Sequence, residues 1–285
     1  MPVNKDPDGR RWVQVEVEVP GTPEEVWEAI ATGPGISSWF VPSEIEEREG
    51  GTAIAHFGPG NSMDSVASIT TWEPPHRFVA ESRNDMKEGD PTVADEWTVE
   101  AQSGGTCIVR VVHSWFSSKD DWDAQYEQAE MGWPVFFEIL RFYLLHFRGQ
   151  RCASFQLMAS APEPTSEAWS ALAGPLGLEG AGEGQTVRAP DGAPTLAGLV
   201  ERAGPSDHPG LLIRIDAPAP GLVHLFALPM MGQVFLPTRV FLYGDGASET
   251  AASIEPTWQA WMAERFPPPA APDAPATADE GTSAA

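Results

Sequence analysis

From Asp121 to Arg148 the apolar positions Tyr126, Ala129, Trp133, Phe136, Phe137, Leu140, Leu144 and Phe147 recur at intervals of three and four. That spacing puts them on one side of a single long helix. Asp120, Asp121, Asp123 and Glu127 crowd its start, and Arg141, His146 and Arg148 its end, the polarity that complements the helix dipole. Pro134 lies inside the pattern and predicts a kink near Met131–Pro134, eased by Gly132, because proline lacks an amide hydrogen and crowds the preceding turn. Such a stripe forms either a packed core or, in part, the wall of a cavity.

Ahead of this helix the period changes to two. Over Trp12–Val19, Val13, Val15, Val17 and Val19 share one face and Gln14, Glu16 and Glu18 the other, the pattern of a half-buried strand. Pro20-Gly21 ends it. Thr22-Pro23-Glu24-Glu25 then reads as a capping box with proline at the first helical position, opening a short helix that buries Val26, Trp27 and Ile30. Gly33-Pro34-Gly35 reads as its break, with a further helical turn over 36–40. Short strands follow at 43–48, 52–57, 65–72, 77–82, 93–101 and 106–116, separated by Gly/Pro/Asn turns and a polar loop over 84–91. Asp95, Trp97 and Val99 share a face of one strand; Cys107, Val109, Val111, His113 and Trp115 share a face of the next. Regularly spaced strands with tight turns predict an antiparallel meander, and the order predicts an α+β layer fold with the sheet packed on the long helix.

The motifs TPEEVWEAI, SWF (38–40), EGG (49–51), ITTWEPPHRF (69–78), GGT…VVHSWF (104–116) and GWPVFFEIL (132–140) stand in an order similar to that of the SRPBCC (START/Bet v 1-like) superfamily. The segment resembles its bacterial AHSA1-like branch, the activator of Hsp90 ATPase homologue-like proteins. This resemblance implies a helix-grip fold: a seven-stranded antiparallel sheet wrapped around the long C-terminal helix, with an apolar cavity between. It specifies no reaction.

Beyond Gln150 a second unit is expected. SEAWSALAGPLGL (166–178) echoes PEEVWEAIATGPGI (23–36), pairing Glu167 with Glu25 and Trp169 with Trp27, again after a first strand. Its strands are expected at 152–160, 185–189, 195–201, 210–217, 222–228 and 233–243. Its last helix is expected at 257–266, with Trp258, Trp261, Met262 and Phe266 inward. The division is therefore a disordered N-terminus (1–11), a helix-grip domain (12–150), a second divergent SRPBCC-like domain (151–266) and a disordered Pro/Ala-rich tail (267–285). The second domain packs on the first as a cover, or forms a dimer contact.

Composition narrows the chemistry. With 41 acidic and 17 basic residues the net charge is −24; such a field disfavours nucleic acid and anionic membrane surfaces. Two cysteines, Cys107 and Cys152, provide neither a disulfide framework nor a zinc site. No apolar leader or membrane-length run occurs, so a cytoplasmic location is expected. Neither metal-ligand spacing nor a Walker loop, dinucleotide fingerprint or nucleophile elbow is present, and no metal or cofactor is expected.

His113, on an apolar strand face, is either a core histidine bonded to a neighbour or an acid–base group, with Asp95 on the adjacent strand as its partner. His56 alternates with Ile54 and its face is open; His76 is expected exposed in a Pro-Pro turn and His146 beside a helix end. His208 and His224 have no partners at ligand spacing. The expected function is binding of an apolar or aromatic small molecule by Trp39, Phe40, Trp97, His113, Trp115, Trp133 and Phe137, because indole and phenyl rings on inward faces suit a pocket for rings or acyl chains. The alternatives are a cavity enzyme of polyketide cyclase/aromatase or hydrolase type using His113 and Asp95, and an AHSA1-like protein with a chaperone partner.

Overall fold

The computed structural model describes residues 4–6, 10–57, 64–83, 92–116, 123–162, 164–230 and 232–267. The chain forms two sheets, each holding one long helix. In the first unit the strands are β1 (Asn4–Lys5), β2 (Arg10–Pro20), β3 (Ser43–Ile45), β4 (Thr52–His56), β5 (Asp64–Glu73), β6 (Arg77–Arg83), β7 (Thr92–Gln102) and β8 (Thr106–Phe116). They pair antiparallel in the order β1-β2-β8-β7-β6-β5-β4-β3. Seven of these were expected. The eighth, β1, pairs Asn4 with Trp12 and Lys5 with Arg11, so the polar segment ahead of Trp12 contributes to the sheet.

The capping box forms as read. Glu25 N–H donates to the Thr22 hydroxyl, and Thr22 N–H donates to the Glu25 carboxylate at 2.9 Å. It opens α1 (Pro23–Ala31), which buries Val26, Trp27 and Ile30. The first helix ends where a break was expected, with Thr32 extended between the two helices, but Gly33-Pro34-Gly35 lies inside the helix that follows. This second helix, α2 (Gly33–Ser37), is capped by the Thr32 hydroxyl, which accepts from Gly35 N–H at 3.0 Å. Glycine is required there, since a Cβ at position 35 would fall 1.9 Å from the Glu28 carbonyl oxygen. The long helix α3 spans Asp123–His146 and continues through Pro134. The two residues expected ahead of it, and the loops at 58–61 and 84–91, lie outside the described residues. So do the side chains of Tyr126, Glu127 and Ala129.

The second unit repeats the plan. Its strands are β9 (Cys152–Ala161), β10 (Thr186–Arg188), β11 (Ala197–Ala203), β12 (Gly210–Ala217), β13 (Gly221–Phe226), β14 (Leu228–Met230) and β15 (Gln233–Tyr243). The first strand, β9, pairs with the last, β15, as β2 pairs with β8. A short helix α4 (Thr165–Ala173) follows β9, and α5 (Ala247–Arg265) closes the unit. The fold is a helix-grip α+β architecture, present twice. The last helix begins ten residues before the expected Thr257, because its first turns are Ala- and Ser-rich and carry little apolar signal. Trp258, Trp261 and Met262 are buried as read.

The two sheets differ in one respect. Strands β12, β13 and β15 are buried on both faces. Leu211, Ile213, Leu225, Val240 and Leu242 face α4 and α5, whereas Leu212, Leu222, Phe241 and Tyr243 join the core built around α3. Helix α3 is thus gripped by its own sheet and covered by the back of the second one. None of the helices among the described residues is long and apolar enough to cross a membrane.

Candidate functional site

Pleating and register decide which side chains meet between the first sheet and α3. Val15, Val111 and Trp97 stand side by side across β2, β8 and β7, and Val13, His113 and Asp95 form the next such row. Alternation therefore places Trp97 and the His113–Asp95 pair on one face.

Of the seven residues expected to line a site, Trp39, Phe40, Trp97, Trp133 and Phe137 form a continuous aromatic cluster. Trp39 approaches Trp97 at 6.1 Å, Trp97 approaches Trp133 at 5.4 Å, and Phe40 stacks on Trp133 at 5.6 Å between ring centroids. Phe136, which sequence reasoning assigned only to the helix stripe, packs on Phe40 at 4.4 Å. Phe137 touches Trp39, Trp97 and Trp133 and also borders a cleft of about 430 Å³. The cleft lies between β2 and the proline turn of α3, lined by Gln14, Val15, Glu16, Val17, Pro134, Phe137 and Glu138. Trp115 belongs elsewhere: it is fully buried against Val13 and Val93, 6.0 Å from the His113 ring.

His113 Nδ1 and Asp95 Oδ1 are 2.5 Å apart. The His113 side chain is 14% exposed and that of Asp95 32%. Burial opposes the imidazolium, but the charge and hydrogen bond of Asp95 outweigh it and hold the His113 pKa above its ordinary value. A raised folded pKa means that the pair stabilises the fold fully below the unfolded value near 6.5 and loses that contribution as pH rises through the folded value. Asp95→Asn is therefore expected to lose more stability at pH 5.5 than at pH 9, measured by urea unfolding at both. An equal loss at both pH values would mean that His113 stays neutral throughout.

The other histidines separate by environment. His56 lies on the outer face, its Nδ1 2.8 Å from Asp64 and its Nε2 3.6 Å from Glu44, and the hydrogen bond to Asp64 raises its pKa. The pairing of β4 with β5 sets His56 opposite Asp64. His76 is exposed as expected. His146, expected to complement the helix dipole, has its pKa lowered by burial and by Arg214 of the second sheet. Its ring stacks parallel to Phe142. The described residues hold no group of three or more His, Cys, Asp or Glu able to bind a metal.

Residues 20–144 match the family model described as activator of Hsp90 ATPase homolog 1-like protein. No curated protein matches the chain. Among solved structures, the di-domain ARO/CYC BexL from the BE-7585A biosynthetic pathway aligns over 90% of this chain and 97% of its own, at 14% identity and a TM-score of 0.43. DynU16, described as a putative protein in the dynemicin biosynthetic locus, aligns over 91% and 100%, at 16% identity and a TM-score of 0.39. Protein MLL2253 from Mesorhizobium loti aligns over 47% and 96%, at 24% identity and a TM-score of 0.42.

Proposed function

We propose that this protein binds a flat apolar or aromatic small molecule between the sheet and long helix of its first unit, whose residues 20–144 match the activator of Hsp90 ATPase homolog 1-like family. The observation that carries the reading is Phe137, which joins the cleft between β2 and α3 to the aromatic cluster behind it. A volume of about 430 Å³ falls in the range of small-molecule sites, which combine apolar walls with a few polar groups. Val15, Val17, Pro134 and Phe137 supply apolar wall; Gln14, Glu16 and Glu138 supply polar rim. In this reading Trp39, Phe40, Trp97 and Trp133 shape the inner wall, with His113 and Trp115 beyond it.

Native mass spectrometry of the protein purified from its own host tests this. Wild-type protein is expected to retain a small-molecule mass. Val17→Trp, which projects an indole toward the cleft, is expected to lower its occupancy at least tenfold. A wild-type protein that carries nothing and takes up no aromatic probe would end the reading.

The His113–Asp95 pair favours a second reading, a cavity enzyme of cyclase/aromatase or hydrolase type in which the pair serves as general base. Normal turnover of an identified substrate by His113→Ala would remove it. Chaperone binding rests on the family relation alone, and co-purification of an Hsp90-type chaperone with the full chain would support it.

A further inference from the structure

One cation at the junction of the two units meets no opposite charge among the described residues. Arg239 lies on β15, on the face turned to α3. Its guanidinium stands 4.4 Å from the ring centroid of Phe136 on α3 and 5.1 Å from that of Phe226 on β13. Its Nε donates to Gln156 Oε1 on β9 at 2.9 Å. No carboxylate among the described residues reaches it. Elsewhere the pattern is the reverse: Arg77, Arg110, Arg148, Arg202 and Arg214 each meet a glutamate at 2.6–3.2 Å. In a chain with 41 acidic residues against 17 basic, a desolvated guanidinium without a carboxylate is unexpected, since buried charges are ordinarily paired.

A second observation lies directly beside it. His224 faces Arg239 across the ladder and is 5% exposed. Its ring stacks on Phe226 at 4.6 Å, and its Nδ1 has no hydrogen-bond partner among the described residues. Burial, with the Arg239 charge added, keeps this imidazole neutral. Burial also draws Arg239 down to about 10, still charged at neutral pH.

We propose that Arg239, His224 and Gln156 form a site for the carboxylate of a small organic acid with a flat apolar body, held at the junction of the two units. Gln156 occupies Nε, which leaves both terminal Nη groups to make the paired hydrogen bonds a carboxylate accepts. The ring centroids of Phe136 and Phe226 lie 4.4 and 5.1 Å from the guanidinium carbon, and the ring rims offer apolar contact to the ligand body. His224 Nδ1 supplies a further polar contact within the same patch. Arg239 as a residue is half-buried, while burial is what lowers its pKa. The site is separate from the cleft at Phe137 and stands whether or not that cleft binds a ligand.

The test is NMR titration of the arginine side-chain Nε–Hε signals of the full chain, with Arg239 assigned through Arg239→Lys. Benzoate is the probe; benzyl alcohol, chloride and inorganic phosphate are the comparisons. Benzoate is expected to shift the Arg239 signal saturably and to bind at least tenfold more weakly to Arg239→Gln, with benzyl alcohol unaffected by that change. No saturable shift in the wild type, or equal benzoate affinity in Arg239→Gln, would reduce Arg239 to a cation–π tie between the units. Phosphate binding as tightly as benzoate would overturn the organic-acid assignment. Should Arg239→Gln fail to fold, the wild-type titration decides alone.

Discussion

Trp39→Ala is expected to lower unfolding stability by about 3–5 kcal/mol, the usual cost of truncating a large buried aromatic residue. Trp39 is fully buried and touches Phe40, Trp97 and Phe137. Its removal opens a void among rings carried by β7, α3 and the chain after α2. Close packing leaves no neighbour free to fill that void without changing rotamer. A second contribution is polar. The indole N–H donates to the Ala29 carbonyl at 2.9 Å, and Ala29 lies in the last turn of α1, where carbonyls have no partner within the helix. Trp39→Phe keeps most of the apolar contact and loses this bond, at an expected cost of about 1–2 kcal/mol. Urea unfolding followed by near-ultraviolet circular dichroism separates the two contributions. A loss below about 1 kcal/mol for Trp39→Ala, against the range for buried aromatics, would show that the cluster is loosely packed.

The first unit was legible because its long strands β2 and β8 alternate buried and less buried positions over much of their length. Val13 to Val19 alternate, β8 alternates from Cys107 to Trp115, and register then brings His113 to Asp95 without further information. The second unit was legible in outline only. Its strands GLLIRIDA, GLVHLF and QVFLPTRVFLY read as nearly continuous apolar runs. Such runs are the signature of a sheet buried on both faces, yet nothing in them names what covers the second face. That information is shared between distant segments: Phe136 and Tyr143 on α3, and Phe147 just after it, meet Arg239 and Tyr243 on β15. The same reason hid Arg239 and His224. A cation and a neutral imidazole inside apolar strands have no spacing motif, and their isolation appears only once the neighbouring carboxylates can be located in space.

The junction itself yields the second large effect. Tyr243→Ala is expected to uncouple the two units and to cost about 3–5 kcal/mol. The ring is 2% exposed, stacks on Phe147 at 4.2 Å and on Tyr143 at 5.7 Å, and its hydroxyl donates to the Ser38 carbonyl at 2.7 Å. Burial pushes its pKa well above the ordinary value, so the hydroxyl remains a donor. One residue of β15 thus fixes both α3 and the end of α2, and Leu212, Leu222 and Phe241 extend the same contact. With a core shared in this way the wild-type chain is expected to unfold in one transition, whereas Tyr243→Ala is expected to show two by calorimetry. The cysteines report which side opens. Cys152 pairs with Tyr243 across the ladder, and burial pushes its thiol up to about 12; Cys107 lies deep in the first unit. Uncoupling restores solvent to Cys152 and should speed its reaction with a thiol reagent at least tenfold, about what a pKa drop of one unit gives at fixed pH, while Cys107 keeps its rate. Tyr243→Phe, which loses only the hydrogen bond, is expected to cost about 1–2 kcal/mol and to leave one transition. If Cys107 and Cys152 accelerated together in Tyr243→Ala, the junction would not be a separable contact, and the two units would share one indivisible core.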